Sequence, residues 1–496
     1  TNGRRISHWL KATSNRFPRI GVAFLMRQLS LLIRLFFLLL SAARVGGQES
    51  GREIAVSADN LATAITGASD GDIINVSGGA YYGSLEIDKP LTINGIDWPV
   101  IDGQGDGTVL KLTAPGTIVR GFVIRNSGSS LDQENAGIAV EAANITIENN
   151  RLEETLFGIY LRDANVSIVR NNHVTSKELD VPRRGDPIRV WYSTDVLIED
   201  NVVERGRDVV LWYSERLTVR GNEVTDGRYG LHFMYCDDAL IEQNLLLNNS
   251  VGTFLMYSRR MTMQHNTIGN NRGPSGYGVG LKDMDDAVVK ENLFLNNRIG
   301  AHVDGSPREV DSICRYEGNV IAYHDIGVNM LPAVRHNEFL GNSFVDNEEQ
   351  VAVAGGGQLR ENDWTVGDQG NYWSDYAGYD VNGDGQGEIE YKSERLFENL
   401  MSREPNLRLF LYSPAINAID LSAKAFPIVK PQPKLTDTKP LMAPIIPQDA
   451  PPLPQPTAVD WLIPALVAIV LALVLAGLPR FGRHHFRSLS ILEKTQ

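Results

Sequence analysis

From about Gly137 to Asn342 the chain repeats one short phrase: a glycine, a few alternating apolar residues, a turn, two more alternating apolar residues, then asparagine. Asn150, Asn171, Asn201, Asn222, Asn244, Asn266, Asn292 and Asn319 mark the register. Most intervals are 21 or 22 residues, and local insertions at Lys177–Pro187 and Asn271–Gly276 lengthen the others. Ahead of the asparagines stand Ile145/Ile147, Val166/Ile168, Val196/Ile198, Leu217/Val219, Ala239/Ile241, Met261/Met263 and Ala287/Val289. Each pair is two residues apart, the period of a strand and not of a helix. Leucine-rich repeats share the interval, but their L-x-x-L-x-L signature and helical half are missing. The pattern predicts an all-β fold, a right-handed single-stranded parallel β-helix with one coil per repeat. Glycine and asparagine both accept the left-handed backbone that tight turns between stacked strands require.

The two ends read differently from this body. Residues 1–25 give a leader with no functional reading, and residues 26–43 a secretory signal peptide: Arg27, an apolar run Leu29–Leu40 broken by Ser30 and Arg34, then Ser41-Ala42-Ala43. An N-terminal membrane anchor is the alternative. Residues 50–392 form the β-helix body, and 393–426 a helical cap or permease-contacting segment with apolar positions such as Leu396, Phe397 and Leu400. Residues 427–460 form a proline-rich, extended stalk. The apolar stretch 461–478 is long enough for a transmembrane helix. The basic tail 479–496 places its C-terminal side in the cytoplasm. A net charge of -13 excludes nucleic-acid binding, which needs a dense positive groove. Cys236 and Cys314 are too far apart in this register to form a disulfide, so both thiols are expected free.

The run Gly71–Gly128 resembles the opening of carbohydrate-binding and sugar-hydrolase-type β-helix modules. The block Asn249–Asp286 and the later Gly367–Tyr391, with its NYWSDY segment, narrow the likeness. They resemble the NosD family, exported components of the copper ABC-type transporter encoded with nitrous oxide reductase. The likeness covers roughly residues 50–420. It implies a periplasmic accessory protein, not an enzyme, working with an inner-membrane permease and a cytoplasmic ATPase. Its implied role is copper delivery and assembly of the copper sulfide centre of nitrous oxide reductase, with a copper chaperone lipoprotein as donor. No nucleotide-binding motif is present, so ATP hydrolysis belongs to a partner. Copper and nitrous oxide come from the resemblance alone.

Copper(I) favours thioether, thiolate and imidazole ligands. His232, Met234 and Cys236 share one strand parity, and Met256 falls one coil above Met234. These four are the candidate copper residues; packing methionines and a buried cysteine are the competing reading. Trp191 and Trp212 continue the methionine column and are candidates for partner binding on an exposed stripe. Tyr192, Tyr213, Tyr235 and Tyr257 form a parallel column, placed inward or at the turn. Met261 and Met263 take slots filled elsewhere by isoleucine and valine and read as core. Asp380, Asn382, Asp384, Gln386 and Glu388 space oxygen donors as in the first part of an EF-hand loop, with Gly385 at the sixth position. A structural calcium is the expectation there, although the glutamate of position 12 is missing and Tyr391 stands in its place. A polysaccharide-active enzyme is the rival class, with Asp237/Asp238 and Asp285/Asp286 as carboxylates and Arg183, Arg184, Arg189 and Arg228 to hold a uronate; no catalytic triad can be assembled from them. A docking scaffold without ligand is the third.

Overall fold

The computed structural model describes residues 51–394, 396–410, 413–425, 432–454 and a few positions between 467 and 472. The expected leader, signal peptide and basic tail lie outside the described residues, as does nearly all of the 461–478 span. No helix among the described residues is long and apolar enough to cross a membrane.

Three parallel sheets wind around one core. Sheet 1 has 13 strands, from Glu53–Ser57 to Asn337–Leu340. Sheet 2 has 13, from Ala80–Tyr82 to Tyr372–Trp373, and sheet 3 has 12, from Leu85–Ile87 to Glu349–Val353. The chain visits sheets 1, 2 and 3 in turn and then climbs one layer, as the right-handed parallel β-helix reading requires. With strands about 4.8 Å apart, each coil stacks its inward residues on the same positions of its neighbours. In sheet 3 the inward column reads Leu161, Val190, Leu211, Phe233, Leu255, Leu281 and Val303, all but fully buried.

Asparagine fixes the turn between sheets 1 and 2. Asn244 donates its backbone N–H and its Nδ2 to Asn266 Oδ1, both at 2.9 Å. Its Nδ2 also reaches Val219 O at 2.9 Å and Glu242 O at 3.0 Å. The same pattern runs through Asn150, Asn172, Asn201, Asn222, Asn244, Asn266, Asn292, Asn319, Asn342 and Asn371. One register mark is therefore corrected: Asn172 occupies the ladder, and Asn171 is the left-handed turn residue before it, at φ 53. In the same coil Val166 is 57% exposed, while Ser167 and Val169 point inward. A one-residue slip flips every side chain of a strand. Here Ser167 occupies an inward slot because its Oγ accepts the Ile145 N–H at 3.0 Å.

The bottom of the coil is closed by helix α1 (Leu61–Gly67), which buries Leu61 and Ile65. Lys89 Nζ donates to the carbonyls of Ile65, Thr66 and Ala68 at 2.8–3.2 Å, and a cation there also complements the helix dipole. At the top, α2 (Leu396–Arg403) and α3 (Pro414–Ala425) share a small core of Phe397, Met401 and Ile416.

Residues 432–454 do not stand away from the body as a stalk. Asp437 is fully buried and ends the asparagine ladder: its Oδ2 accepts Asn371 N at 2.7 Å and Trp373 Nε1 at 2.9 Å. Lys434, buried, pairs with Glu349 at 2.6 Å and Glu398 at 3.2 Å. The chain then descends the outer face of sheet 2 as a strap. Leu441 N donates to Asn371 O at 2.9 Å, Ile445 exchanges two 2.8 Å bonds with Ser343 Oγ, and Thr267 Oγ1 donates to Pro451 O. The outward residues under it are apolar or small: Leu247, Thr267, Val320, Ala322 and Ser343 are all at most 8% exposed. Lower on the same face stand Arg151, Glu153, His173, Glu204 and Glu223.

Candidate metal site

The outer face of sheet 3 carries the candidate residues in two columns. One reads Arg162, Trp191, Trp212, Met234, Met256 and Lys282, each aligned with the next. The other reads Tyr160, Arg189, Val210, His232, Phe254, Gly280 and His302. Strand geometry makes Met234 and Met256 direct neighbours, some 5 Å apart at the backbone, and puts His232 on the same face two residues before Met234. Gly280 leaves room for the Phe254 ring, which a Cβ there would meet at 2.7 Å.

His232 sits in an aromatic box. Tyr229 is edge-on at 4.9 Å, Trp212 edge-on at 5.3 Å, and Phe254 stacks at 6.3 Å. Its Nδ1 lies 3.5 Å from Asp208 Oδ2. Neither ring nitrogen has a hydrogen-bond partner, and both are shielded from solvent. Asp208 is buried, which disfavours its charge, yet Arg228 and His232 hold its carboxyl below the usual range. Arg228 Nε donates to Asp208 Oδ1 at 2.8 Å. A bulge helps to place the histidine: Asp208 aligns with Tyr229 and Val210 with His232, so the upper strand carries one extra residue. One layer down, burial and the neighbouring Asp208 charge push the Asp186 carboxyl up to about 6 against the pull of Arg207 and Arg189. Arg189 in turn bonds Glu134 at 3.1 Å. Arg189 and Arg228 of this row were singled out from the sequence, but the two aspartates were not; the signal for them is an aspartate at or just before the start of each strand, in Asp186-Pro187-Ile188 and Asp208-Val209-Val210.

Cys236 does not join the other three. Tyr235 takes φ 56, and this left-handed residue breaks the strand alternation. Cys236 therefore points into the core, with no measurable exposure, and burial pushes its thiol up to about 12. It fills a serine position of the column Ser193, Ser214, Cys236 and Ser258: Ser193 N–H donates to Ser214 Oγ at 3.1 Å, and Cys236 N–H to Ser258 Oγ at 2.8 Å. Its Sγ donates to Leu211 O at 3.0 Å. Cys314 is buried and free as well. Met261 and Met263 lie in the core.

Tyr192, Tyr213, Tyr235 and Tyr257 stack with centroids 5.0–5.1 Å apart. They sit at the turn, with rings outward and Tyr192 54% exposed. Trp191 and Trp212 are half-buried. Arg189 lies 4.2 Å over the Trp191 ring, whose other ring neighbours are Tyr192, Tyr213 and, edge-on at 6.0 Å, Trp212.

In the acidic loop, Asp380 accepts Gly383 N at 2.6 Å and Gly385 N at 2.9 Å, and Asn382 Oδ1 and Asp384 Oδ1 each accept an amide two residues on. Gln386 Nε2 donates away from the loop to Asp368 O, and Glu388 N bonds Tyr379 O. Three of the five expected donors thus also accept amides of the turn itself. The carboxylates considered for sugar chemistry are also engaged: Asp237 with Arg259, Asp238 with Arg260, Asp285 with the Arg308 and Glu309 amides, and Asp286 with Ser312. Among the described residues, no three His, Cys, Asp or Glu side chains converge as a metal cluster.

The three stacked sheets define a right-handed parallel β-helix protein. Residues 100–211 match the family model described as a right handed beta helix region, and residues 170–378 match that of the periplasmic copper-binding protein NosD. The chain belongs to the NosD family: it is 31% identical over 421 residues to the "Probable ABC transporter binding protein NosD" of Pseudomonas aeruginosa, covering 81% of this chain and 97% of that protein. It is 27% identical over 375 residues to the protein of the same description from Stutzerimonas stutzeri, covering 73% and 85%. Among solved structures it is similar to the A-module of the mannuronan C-5 epimerase AlgE6 of Azotobacter vinelandii. That match has a TM-score of 0.41 and 16% identity, and covers 59% of this chain and 89% of that one.

Proposed function

We propose that this periplasmic protein carries copper(I) as cargo on the outer face of sheet 3 and hands it on, without catalysing a reaction, in partnership with an inner-membrane ABC permease and its cytoplasmic ATPase. Nitrous oxide reductase, whose copper sulfide centre needs the metal, is the recipient, and a copper chaperone lipoprotein is the donor. The apolar 461–478 stretch anchors the body to the inner membrane. The observation that carries the reading is the Met234–Met256 rung beside a buried His232 whose Nε2 has no partner. Thioethers plus one imidazole form a soft donor set suited to copper(I) and poorly suited to hard cations. The family's copper-binding description and the relatives' description as ABC transporter binding proteins support the same reading.

Anaerobic titration of the full chain with copper(I) against a chromophoric chelator tests it. One equivalent is expected to bind, and Met234→Leu/Met256→Leu to lower the affinity at least tenfold with the fold intact. Unchanged affinity in that double variant removes this site, and absence of any binding leaves the protein as a docking scaffold.

A further inference from the structure

The two indoles beside the methionine rung are not equivalent. Trp191 already has a cation: the Arg189 guanidinium lies 4.2 Å from its ring centre. Trp212 has none over its ring among the described residues. It aligns directly with Met234 on the neighbouring strand and touches the His232 imidazole at 5.3 Å, at an interplanar angle of 90°. Because Asp208 lies on the Nδ1 side of that imidazole, Nε2 is the nitrogen turned away from the carboxylate. It is buried and unpartnered, an arrangement that is unfavourable until something binds it. From Arg162 to Lys282 the column has no carboxylate; the next position carries Asp304, which pairs with Lys282 at 3.5 Å, and Asp208 beside the imidazole is held by Arg228.

Resting on the copper reading above, we propose that Trp212 is a working part of the same site. A soft monovalent cation held by Met234, Met256 and His232 Nε2 rests against the Trp212 indole, and this contact makes the site choose copper(I) or silver(I) over divalent ions. The physical basis is the attraction of a largely desolvated cation to the indole π system, strongest for tryptophan among the aromatic side chains. Divalent ions gain little from thioethers and favour oxygen ligands, and the carboxylate that follows Lys282 in the column, Asp304, is already paired with that lysine. Arg189 leaves Trp191 no such role, so the two tryptophans should respond differently to metal.

The test uses the full chain and silver(I), a redox-inert soft cation, with zinc(II), a borderline divalent cation, as the comparison. Silver(I) is expected to quench part of the tryptophan emission stoichiometrically and to red-shift an indole absorption band; zinc(II) does neither at the same concentration. Trp212→Phe is expected to lose the quench and to weaken silver(I) binding roughly 2- to 30-fold, whereas Trp191→Phe keeps both. Quenching that survives in Trp212→Phe, or that disappears in Trp191→Phe, overturns the proposal, as does unchanged affinity in Trp212→Phe. If that variant does not fold, the wild-type absorption band decides, and its absence overturns the proposal. A wild-type chain that binds no silver(I) or copper(I) by equilibrium dialysis brings down the copper reading itself, a separate outcome from binding without an indole response.

Discussion

His324 accepts the backbone N–H of Asn297 through Nδ1 at 2.9 Å, in a ladder where asparagine oxygens stand on either side of it. Asn249 and Asn271 each donate their N–H to the next asparagine's Oδ1, and His324 donates its own to Asn347 Oδ1 at 3.0 Å. With Nδ1 accepting, Nε2 carries the proton and reaches Phe294 O at 3.1 Å. The imidazole thus reproduces both functions of the amide it replaces, and only in its neutral form.

Burial lowers the His324 imidazole from 6.5 to about 4. Above the unfolded value both states are neutral and the full stability is present. As pH falls from 6.5 towards 4 the unfolded chain takes up a proton that the folded chain refuses, so this contribution is lost, by about 3 kcal/mol in all. His324→Asn is expected to restore the amide and flatten that part of the profile. Urea denaturation at several pH values between 7 and 4 checks it; identical pH slopes in both proteins would contradict it.

Asp437 ends the other ladder where every neighbour is a donor. Besides Asn371 N and Trp373 Nε1, it accepts Thr365 Oγ1 at 2.8 Å and Lys439 N at 3.1 Å. An amide in that position would aim its own N–H groups at donors. Asp437→Asn is therefore expected to cost about 2–4 kcal/mol, despite its similar shape, and Asp437→Ala a comparable amount. Equilibrium unfolding of both variants measures this.

Cys236 is expected to resist alkylation in the folded protein, because the reactive thiolate is disfavoured by burial. Cys314 shares that environment, its thiol also pushed up to about 12 by burial. Mass spectrometry after iodoacetamide should show no adduct before denaturation and two afterwards. Cys236→Ser should stay within about 1 kcal/mol of wild type, since serine already serves the layers above and below. Loss of copper binding in that variant would return the thiol to the ligand set.

Removing the chain after residue 440 should uncover the apolar stripe of sheet 2. Exposed stripes of this kind promote association, so light scattering is expected to show aggregation in the truncated protein and not in the full chain. Replacing Leu247 and Val320 with threonine should reduce it.

The repeat made the fold legible because strand period and turn asparagines agree over eight marked coils. The local errors have physical causes. Val166 and Ile168 look like a core pair, yet they face outward around an inward Ser167, and an apolar pattern cannot reveal a buried hydroxyl that satisfies a neighbouring amide. Cys236 shares parity with Met234 in the sequence, but one left-handed tyrosine between them sends the two to opposite sides. Proline content suggested a free stalk at 427–460. The counter-signal lay elsewhere, where the outward positions of sheet 2 change from Arg151, His173 and Glu223 to Leu247, Val320 and Ala322. His232 and Met234 were visible as same-face neighbours, whereas Asp208 and the bulge that brings it beside the imidazole depend on register that only the folded coil supplies.

The strap has a mechanical consequence. Its residues Pro451 and Leu453 lie against Thr267 and Gly269, on the ninth of the thirteen strands of sheet 2 and four layers below the top. Tension directed along the axis loads the Ile445 and Pro451 attachments together, in shear. A sideways pull opens them one after another from the Pro451 end. The same tether is therefore stiff in one direction and peels in the other.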